Sequence, residues 1–409
     1  MKLNDYQPIV GQSAIDELRL LANRLSGKII QNINSTFTGG GVAEILSRMI
    51  PLLSELGIDA RWNIIKGSDE FFQVTKKFHN ALHGALHGKA ESISAEDFSI
   101  FQEVSRKNIE DLQLNGDVIF VHDPQPIALV TRKKEIGKKW LWRCHIDVSR
   151  PSEQVWSFLL PYIVQYDAAV FSAPSFSRPL PIRQFLISPS IDPLSDKNKE
   201  LPQETIDSVL AKYGIPRDKP IITQVSRFDY LKDPVGVVQA FEMVRRSIDC
   251  RLVLAGGTAS DDPESDAVLA EVKQHTDGKK DIHVLLIPSN SDIEINALQR
   301  ASTIIVQKSL REGFGLTVSE ALWKGKPVVA SAVGGITLQV KNKFTGLLSH
   351  GVEGTAYAIK QLLANPEYAR RLGENGREHV RQNFLITRHV KDYLLAFLIL
   401  GSSEDILYL

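Results

Sequence analysis

The segment REGFGLTVSEALWKGKPVVAS (311–331) carries two glutamates, Glu312 and Glu320, separated by seven residues. Glu312 follows an apolar run that reads as a buried strand, GFGL reads as a turn, and TVSE opens a helix with Thr317 or Ser319 available to cap it. That order leaves a carboxylate beside a helix N-terminus, whose unpaired amides suit a diphosphate. An acidic first turn that merely complements the helix dipole is the alternative. A second group, SRFDYLKDP (226–234), sets Arg227 and Lys232 five residues apart across a strand end and turn. Two cations there suit a pyrophosphate leaving group; two exposed loop cations are the plainer reading. In NSTFTGGGVAEIL, glycines 39–41 let backbone amides approach a phosphate or sugar, or make a tight turn with no ligand. Their spacing does not match the dinucleotide fingerprint and no acidic residue clearly ends the next strand, which disfavours a nicotinamide enzyme.

Positioning these residues takes two alternating series of strands and helices. The first has strands at 28–36, 59–66, 117–123, 140–147, 168–173 and 184–190, interrupted by helical stretches at 69–89 and 97–112. The second has strands at 220–228, 250–257, 282–287, 302–309 and 327–331. Short apolar runs alternating with helical patterns predict parallel, doubly wound sheets. The expected domains are 1–190, completed by a final helix within 386–409, and 191–385. The polar stretch 191–204 reads as an interdomain linker, and the basic run 131–140 as a solvated loop. Ligands of such sheets bind beyond the carboxyl ends of the strands, so the expected site is a cleft between the two halves.

The 409 residues suit two domains of roughly 200 residues each. Formal net charge is zero, so no global field favours nucleic acid or an anionic membrane, and any anion site is local. Cys144 and Cys250 sit in apolar runs and read as buried free thiols, which suits a reducing, cytoplasmic setting. No run approaches the ~20 apolar residues of a membrane span, and the start lacks an apolar signal core. His79, His83 and His87 share a helical face, but no Cys or carboxylate motif completes a metal site, so no metal or cofactor is expected.

Taken in order, the glycine-rich loop, the Arg-x4-Lys pair and the Glu-x7-Glu motif resemble the retaining glycosyltransferases of GT-B fold that include sucrose, glycogen and mannosyl transferases. The likeness spans nearly the whole chain. The first domain is most similar to trehalose glycosyltransferring synthase, through NSTFTGGGVAEIL, LGIDARW, EFFQVTKKFHNALHG and VHDPQP. The resemblance implies that Glu312 contacts hydroxyls of the donor sugar and Glu320 those of the ribose. It implies that Gly313, Phe314, Gly315, Leu316 and Thr317 hold sugar and phosphate through their backbone. Arg227 and Lys232 would neutralise the leaving diphosphate, bordered by Gly40 and Gly41. His145 matches a histidine near the transferred sugar, and Asp123 an acceptor-binding carboxylate. A satisfied core histidine and a turn-forming Asp before Pro are the plainer readings.

The implied reaction joins glucose from a nucleoside diphosphate-glucose to free glucose, giving trehalose with retention of configuration. Alternatives are a retaining transferase with a sugar phosphate, lipid or glucan acceptor, a nucleotide-sugar epimerase, and a nucleotide-sugar-binding protein without turnover. No nucleic-acid or membrane partner is expected, and a homodimer is left open.

Overall fold

The computed structural model describes residues 2–38, 40–84, 93–257, 263–288 and 290–402. The chain divides into two compact units, Met1–Pro189 with Ile386–Leu409, and Ser190–Leu385. Each is built on a six-stranded sheet, parallel throughout.

In the first unit the strands are β1 (Ile29–Asn34), β2 (Asp59–Ile64), β3 (Val118–His122), β4 (Lys139–Arg143), β5 (Ala168–Phe171) and β6 (Arg183–Leu186), in the order β2-β1-β3-β4-β5-β6. The central strands are buried, as expected where helices cover both faces. The helix Asp69–His83 starts at Ser68, whose side chain accepts from Phe71 N, and Ala95–Asp111 starts at a capping box of Ser94 and Asp97. Phe71, Phe78, Phe101 and Phe158 from this layer meet in one aromatic cluster, with ring centroids 5.4–6.1 Å apart in the pairs Phe71–Phe101, Phe78–Phe101 and Phe101–Phe158. His87, on the expected histidine face, lies outside the described residues.

The second unit has β7 (Ile221–Val225), β8 (Arg251–Gly256), β9 (Ile282–Leu286), β10 (Ile304–Gln307), β11 (Val328–Ser331) and β12 (Leu347–Ser349), in the order β12-β11-β10-β7-β8-β9. Strand order therefore reverses between β1 and β3 in one sheet and between β7 and β10 in the other. Crossovers leave in opposite directions from such a pair, so the carboxyl ends of its strands stay uncovered.

Three features differ from the sequence reading. The stretch 191–204 is docked on the second unit rather than a free linker: Asn296 donates to the carbonyls of Asp196 and Lys199 at 2.9 and 2.8 Å, and Arg300 bonds Glu200 at 2.6 Å. The basic run 131–140 is largely solvent-exposed, as expected, but it forms a helical turn and the start of β4 rather than a loop, with Arg132, Lys133 and Lys138 paired to Glu135, Asp167 and Asp117. β12 has only three residues, too few for a periodicity signal.

The last helix, Ile386–Gly401, belongs to the first unit. Its Tyr393 and Phe397 rings sit 5.0 and 5.7 Å from Phe120 on β3. Phe397 is almost wholly buried there. Truncating Phe397 to Ala is expected to cost about 3–5 kcal/mol of unfolding free energy, measured by urea denaturation.

Candidate functional site

In the second unit the candidate residues gather past the ends of the two strands where order reverses. Arg227 and Lys232 follow β7, and Glu312 follows β10. Lys232 Nζ lies 2.6 Å from Glu312 Oε2, and the Ser309 hydroxyl donates to the same oxygen at 3.1 Å. These side chains are 19% and 8% exposed, so the pair is shielded from water. Arg227 is 58% exposed and turns to Asp229 at 3.1 Å.

The backbone fixes this arrangement. Gln224 on β7 donates to the Lys232 carbonyl at 2.8 Å, and Leu310 N donates to the Leu231 carbonyl at 2.8 Å. Asp233 takes a left-handed conformation (φ 47°), caps the helix Pro234–Arg245 through Gly236 N at 3.0 Å, and is ion-paired with the buried Lys308. A left-handed non-glycine residue persists only where its surroundings hold it. Lys308, unnoticed in the sequence, is what holds this one.

The turn that carries Glu312 rests on the backbone of Gly334 and Gly335. A Cβ at Gly334 (φ 49°) would fall 1.8 Å from the Glu312 carbonyl oxygen. Gln339 extends the support, donating to the Phe314 carbonyl and accepting from Ser319 at 2.6 Å. The helix Leu316–Trp323 begins at Gly315 with no side-chain cap. The expected capping by Thr317 or Ser319 is therefore corrected: Thr317 donates to Gln307 at 3.3 Å and Ser319 to Gln339. Uncapped amides are what an anion would use. Glu320 is buried, its carboxylate 4.0 Å from Lys197. Lys324, one turn on, bonds the Glu320 carbonyl and Asn198, and burial pushes its ammonium pKa down.

The first unit has its own cluster at the β1/β3 reversal. The loop after β1 is internally braced: Asn34 accepts from Trp62 Nε1 at 2.8 Å and donates to the Thr36 carbonyl at 2.7 Å, while Phe37 meets the Trp62 ring at 4.9 Å. Gly40 and Gly41 then open the helix Gly40–Glu55. Asp123, directly after β3, is left-handed (φ 64°) and accepts the His145 backbone N–H at 2.8 Å. His145 Nε2 is 3.3 Å from His122 Nδ1, and His122 Nε2 is 3.2 Å from Asn32 Oδ1. Beneath them Arg143 is wholly buried, donating to the Ile187 carbonyl at 2.6 Å and the Ser172 hydroxyl at 3.0 Å.

Burial raises the Asp123 pKa to about 6, against the His145 N–H and the Arg143 charge, which lower it. Burial first, then Arg143, lowers His122 to about 3 and holds His145 well below its usual value. Both imidazoles are therefore neutral at pH 7.

The His79 and His83 rings meet edge-on with centroids 4.8 Å apart, and among the described residues no group of three or more His, Cys, Asp or Glu is placed to hold a metal ion. Cys144 and Cys250 are free and buried. Among the described residues no helix is long and apolar enough to cross a membrane.

Residues 32–178 match the family model described as trehalose synthase, N-terminal domain, and residues 206–379 match glycosyl transferases group 1. A protein of Rubrobacter xylanophilus named trehalose synthase is 42% identical over 97% of this chain and 96% of its own length. The chain belongs to the trehalose synthase family of glycosyltransferases. A more distant member of the same set, from Pleurotus pulmonarius and named trehalose phosphorylase, is 28% identical over 92% of this chain and 58% of its own. Sucrose-phosphate synthase from Thermosynechococcus elongatus superposes with a TM-score of 0.69, covering 92% of this chain and all of that one at 21% identity, which shows the shared GT-B fold.

Sequence reading missed Asn32, His122, Arg143 and Lys308. A signal existed for the last two: each is a charge inside or ending an apolar strand, WLWRC and IIVQKS.

The raised pKa of Asp123 makes it a stability cost. The folded chain binds more protons than the unfolded one between the ordinary carboxylate value and about 6. Stability contributed at this site is thus lost as pH rises through that window. Asp123→Asn keeps an oxygen for the His145 N–H and tolerates positive φ. It is expected to be more stable than the parent by about 1–3 kcal/mol near pH 8, with the difference vanishing near pH 4, as measured by thermal melts across pH.

Proposed function

We propose that this glycosyltransferase moves glucose from a nucleoside diphosphate-glucose to free glucose with retention of configuration, forming trehalose. The observation that carries the reading is the shielded Lys232–Glu312 pair, with Arg227 nearby, at the strand-order reversal of a chain 42% identical to a named trehalose synthase. In this reading the unit Ser190–Leu385 binds the donor, and Asp123 and His145 serve the sugars from the first unit.

The bond that breaks joins the anomeric carbon to a phosphate oxygen. Its electron pair leaves with the nucleoside diphosphate. The barrier is charge separation, between an oxocarbenium-like sugar and a growing anion. Lys232, Arg227 and the uncapped amides at Gly315–Thr317 meet that anion as it forms. A diphosphate that draws Lys232 away from Glu312 frees that carboxylate to accept hydroxyls of the glucose, so donor binding would exchange one ion pair for two sets of contacts. Glu320 would accept the ribose hydroxyls. Attack comes from the face the diphosphate leaves, with a departing phosphate oxygen taking the acceptor's proton. None of these steps calls for a divalent ion or a cofactor.

A phosphate-dependent reaction on trehalose is the second reading, favoured by the Pleurotus relative's name. One experiment separates the two. Products are analysed from ADP-, UDP- and GDP-glucose, each with and without glucose, in the presence of a chelator; a parallel arm offers trehalose with inorganic phosphate. Trehalose made from at least one donor and glucose is expected. A clear preference for glucose 6-phosphate over glucose, or turnover only in the phosphate arm, overturns the proposal. Arg227 is exposed, so Arg227→Ala is expected to leave the thermal midpoint unchanged while costing ~2–4 kcal/mol in kcat/KM, read from steady-state kinetics.

A further inference from the structure

Three hydrogen bonds in the first unit form a chain whose direction is set at one end. Asn32 Nδ2 lies 3.3 Å from the Arg61 carbonyl oxygen. A carbonyl only accepts, so the amide must face it with its NH2 group and turn Oδ1 the other way, toward His122. The 3.2 Å contact from Asn32 Oδ1 to His122 Nε2 then needs its proton on His122. A neutral imidazole carries one N–H, which leaves His122 Nδ1 as an acceptor. The 3.3 Å contact from His122 Nδ1 to His145 Nε2 in turn needs its proton on His145.

We propose that Asn32 and His122 are positioning residues that fix His145 as its Nε2–H tautomer, leaving Nδ1 as a lone-pair acceptor. The relay runs in one direction because its first acceptor is a backbone carbonyl, which cannot reverse. It stays in that state because both rings are kept neutral: burial opposes charging them, the charge of the buried Arg143 disfavours a proton on either, and His389 of the last helix adds to the unfavourable field at His145. The chemical consequence is selection. A ring nitrogen with a lone pair accepts from a sugar hydroxyl and repels a phosphate oxygen, so His145 favours a neutral hydroxyl-bearing group. This last step rests on the proposed sugar-transfer reading; the tautomer itself does not.

The test is made on the protein with 15N-labelled histidine and no substrate. Long-range 1H–15N correlation spectra at neutral pH show which ring nitrogen carries the proton. His122 and His145 are assigned by their loss in His122→Phe and His145→Asn. The expected result is a protonated Nε2 and a bare Nδ1 on both rings. A proton on Nδ1 of His145, or a doubly protonated ring, overturns the relay.

Two variants test it further. His122→Phe keeps an aromatic ring against Phe120, which lies 4.1 Å from the native imidazole, but removes the acceptor. His145 should become a mixture of tautomers, and kcat/KM for glucose transfer should fall about tenfold. His122→Gln, whose amide offers both an acceptor and a donor, should restore the Nε2–H form and most of the activity. His145 remaining wholly Nε2–H in His122→Phe overturns the proposal. If the tautomers are as assigned but no trehalose is formed, the relay stands and the substrate reading falls.

Discussion

The ion pair between Lys232 and Glu312 is the contact on which the second unit's site is organised. Both groups are largely removed from water, where an uncompensated charge is costly. Each must therefore be brought to the other with little freedom, and the surrounding hydrogen bonds do this from two sides. Gln224, Leu310 and the Asp233–Lys308 pair fix the Lys232 turn. Gly334, Gly335 and Gln339 fix the Glu312 turn. Because these supports come from strands adjacent in the sheet, the reversal of strand order between β7 and β10 is what makes the pair attainable.

The first unit solves a different electrostatic problem. Its cluster contains a buried guanidinium, two neutral imidazoles and a carboxylate with a raised pKa, rather than paired charges. Arg143 is solvated by a carbonyl and a hydroxyl in place of water. Its charge helps keep the histidines uncharged and partly offsets the burial of Asp123. Such a surface carries direction in its hydrogen bonds more than in its charge, which suits recognition of hydroxyl groups.

Much of the fold was legible because parallel strands buried on both faces are continuous apolar runs, as in IIVQ and CRLVLAGG. β12 was not, being three residues in a short stretch between turns. Strand ends were read several residues too long: 140–147 closes at Arg143 and 220–228 at Val225. That error hid a useful regularity, since Asp123, His145, Arg227 and Glu312 all lie just past a strand's carboxyl end. Lys232 and Glu312 could be named from residue type and spacing, but not their contact, which joins positions 80 residues apart. Asn32 and His122 have no local signal, since a neutral polar residue in a strand does not show its partner in sequence; Arg143 and Lys308, charges in or ending apolar strands, signal the need for a partner but not which one. The stretch 191–204 does begin at the boundary between the units, but its polar composition does not show that Asn296 and Arg300 bind its carbonyls and make it part of the second unit.

The return of the last helix to the first unit sets the order in which the polypeptide can mature. The second unit is contiguous, Ser190–Leu385, and all its strands exist once that stretch has been synthesised. The first unit begins earlier, yet Phe120 waits for Tyr393 and Phe397, more than 270 positions downstream. During translation the N-terminal sheet therefore spends the synthesis of a whole domain with part of its apolar face uncovered, the condition in which nascent chains recruit chaperones. The sheet that starts first is the last to be sealed, and folding of the second unit prepares that step by pairing its own two ends, Ile191 N donating to the Phe384 carbonyl at 2.9 Å, so that the last helix is released beside the point where the first unit left off.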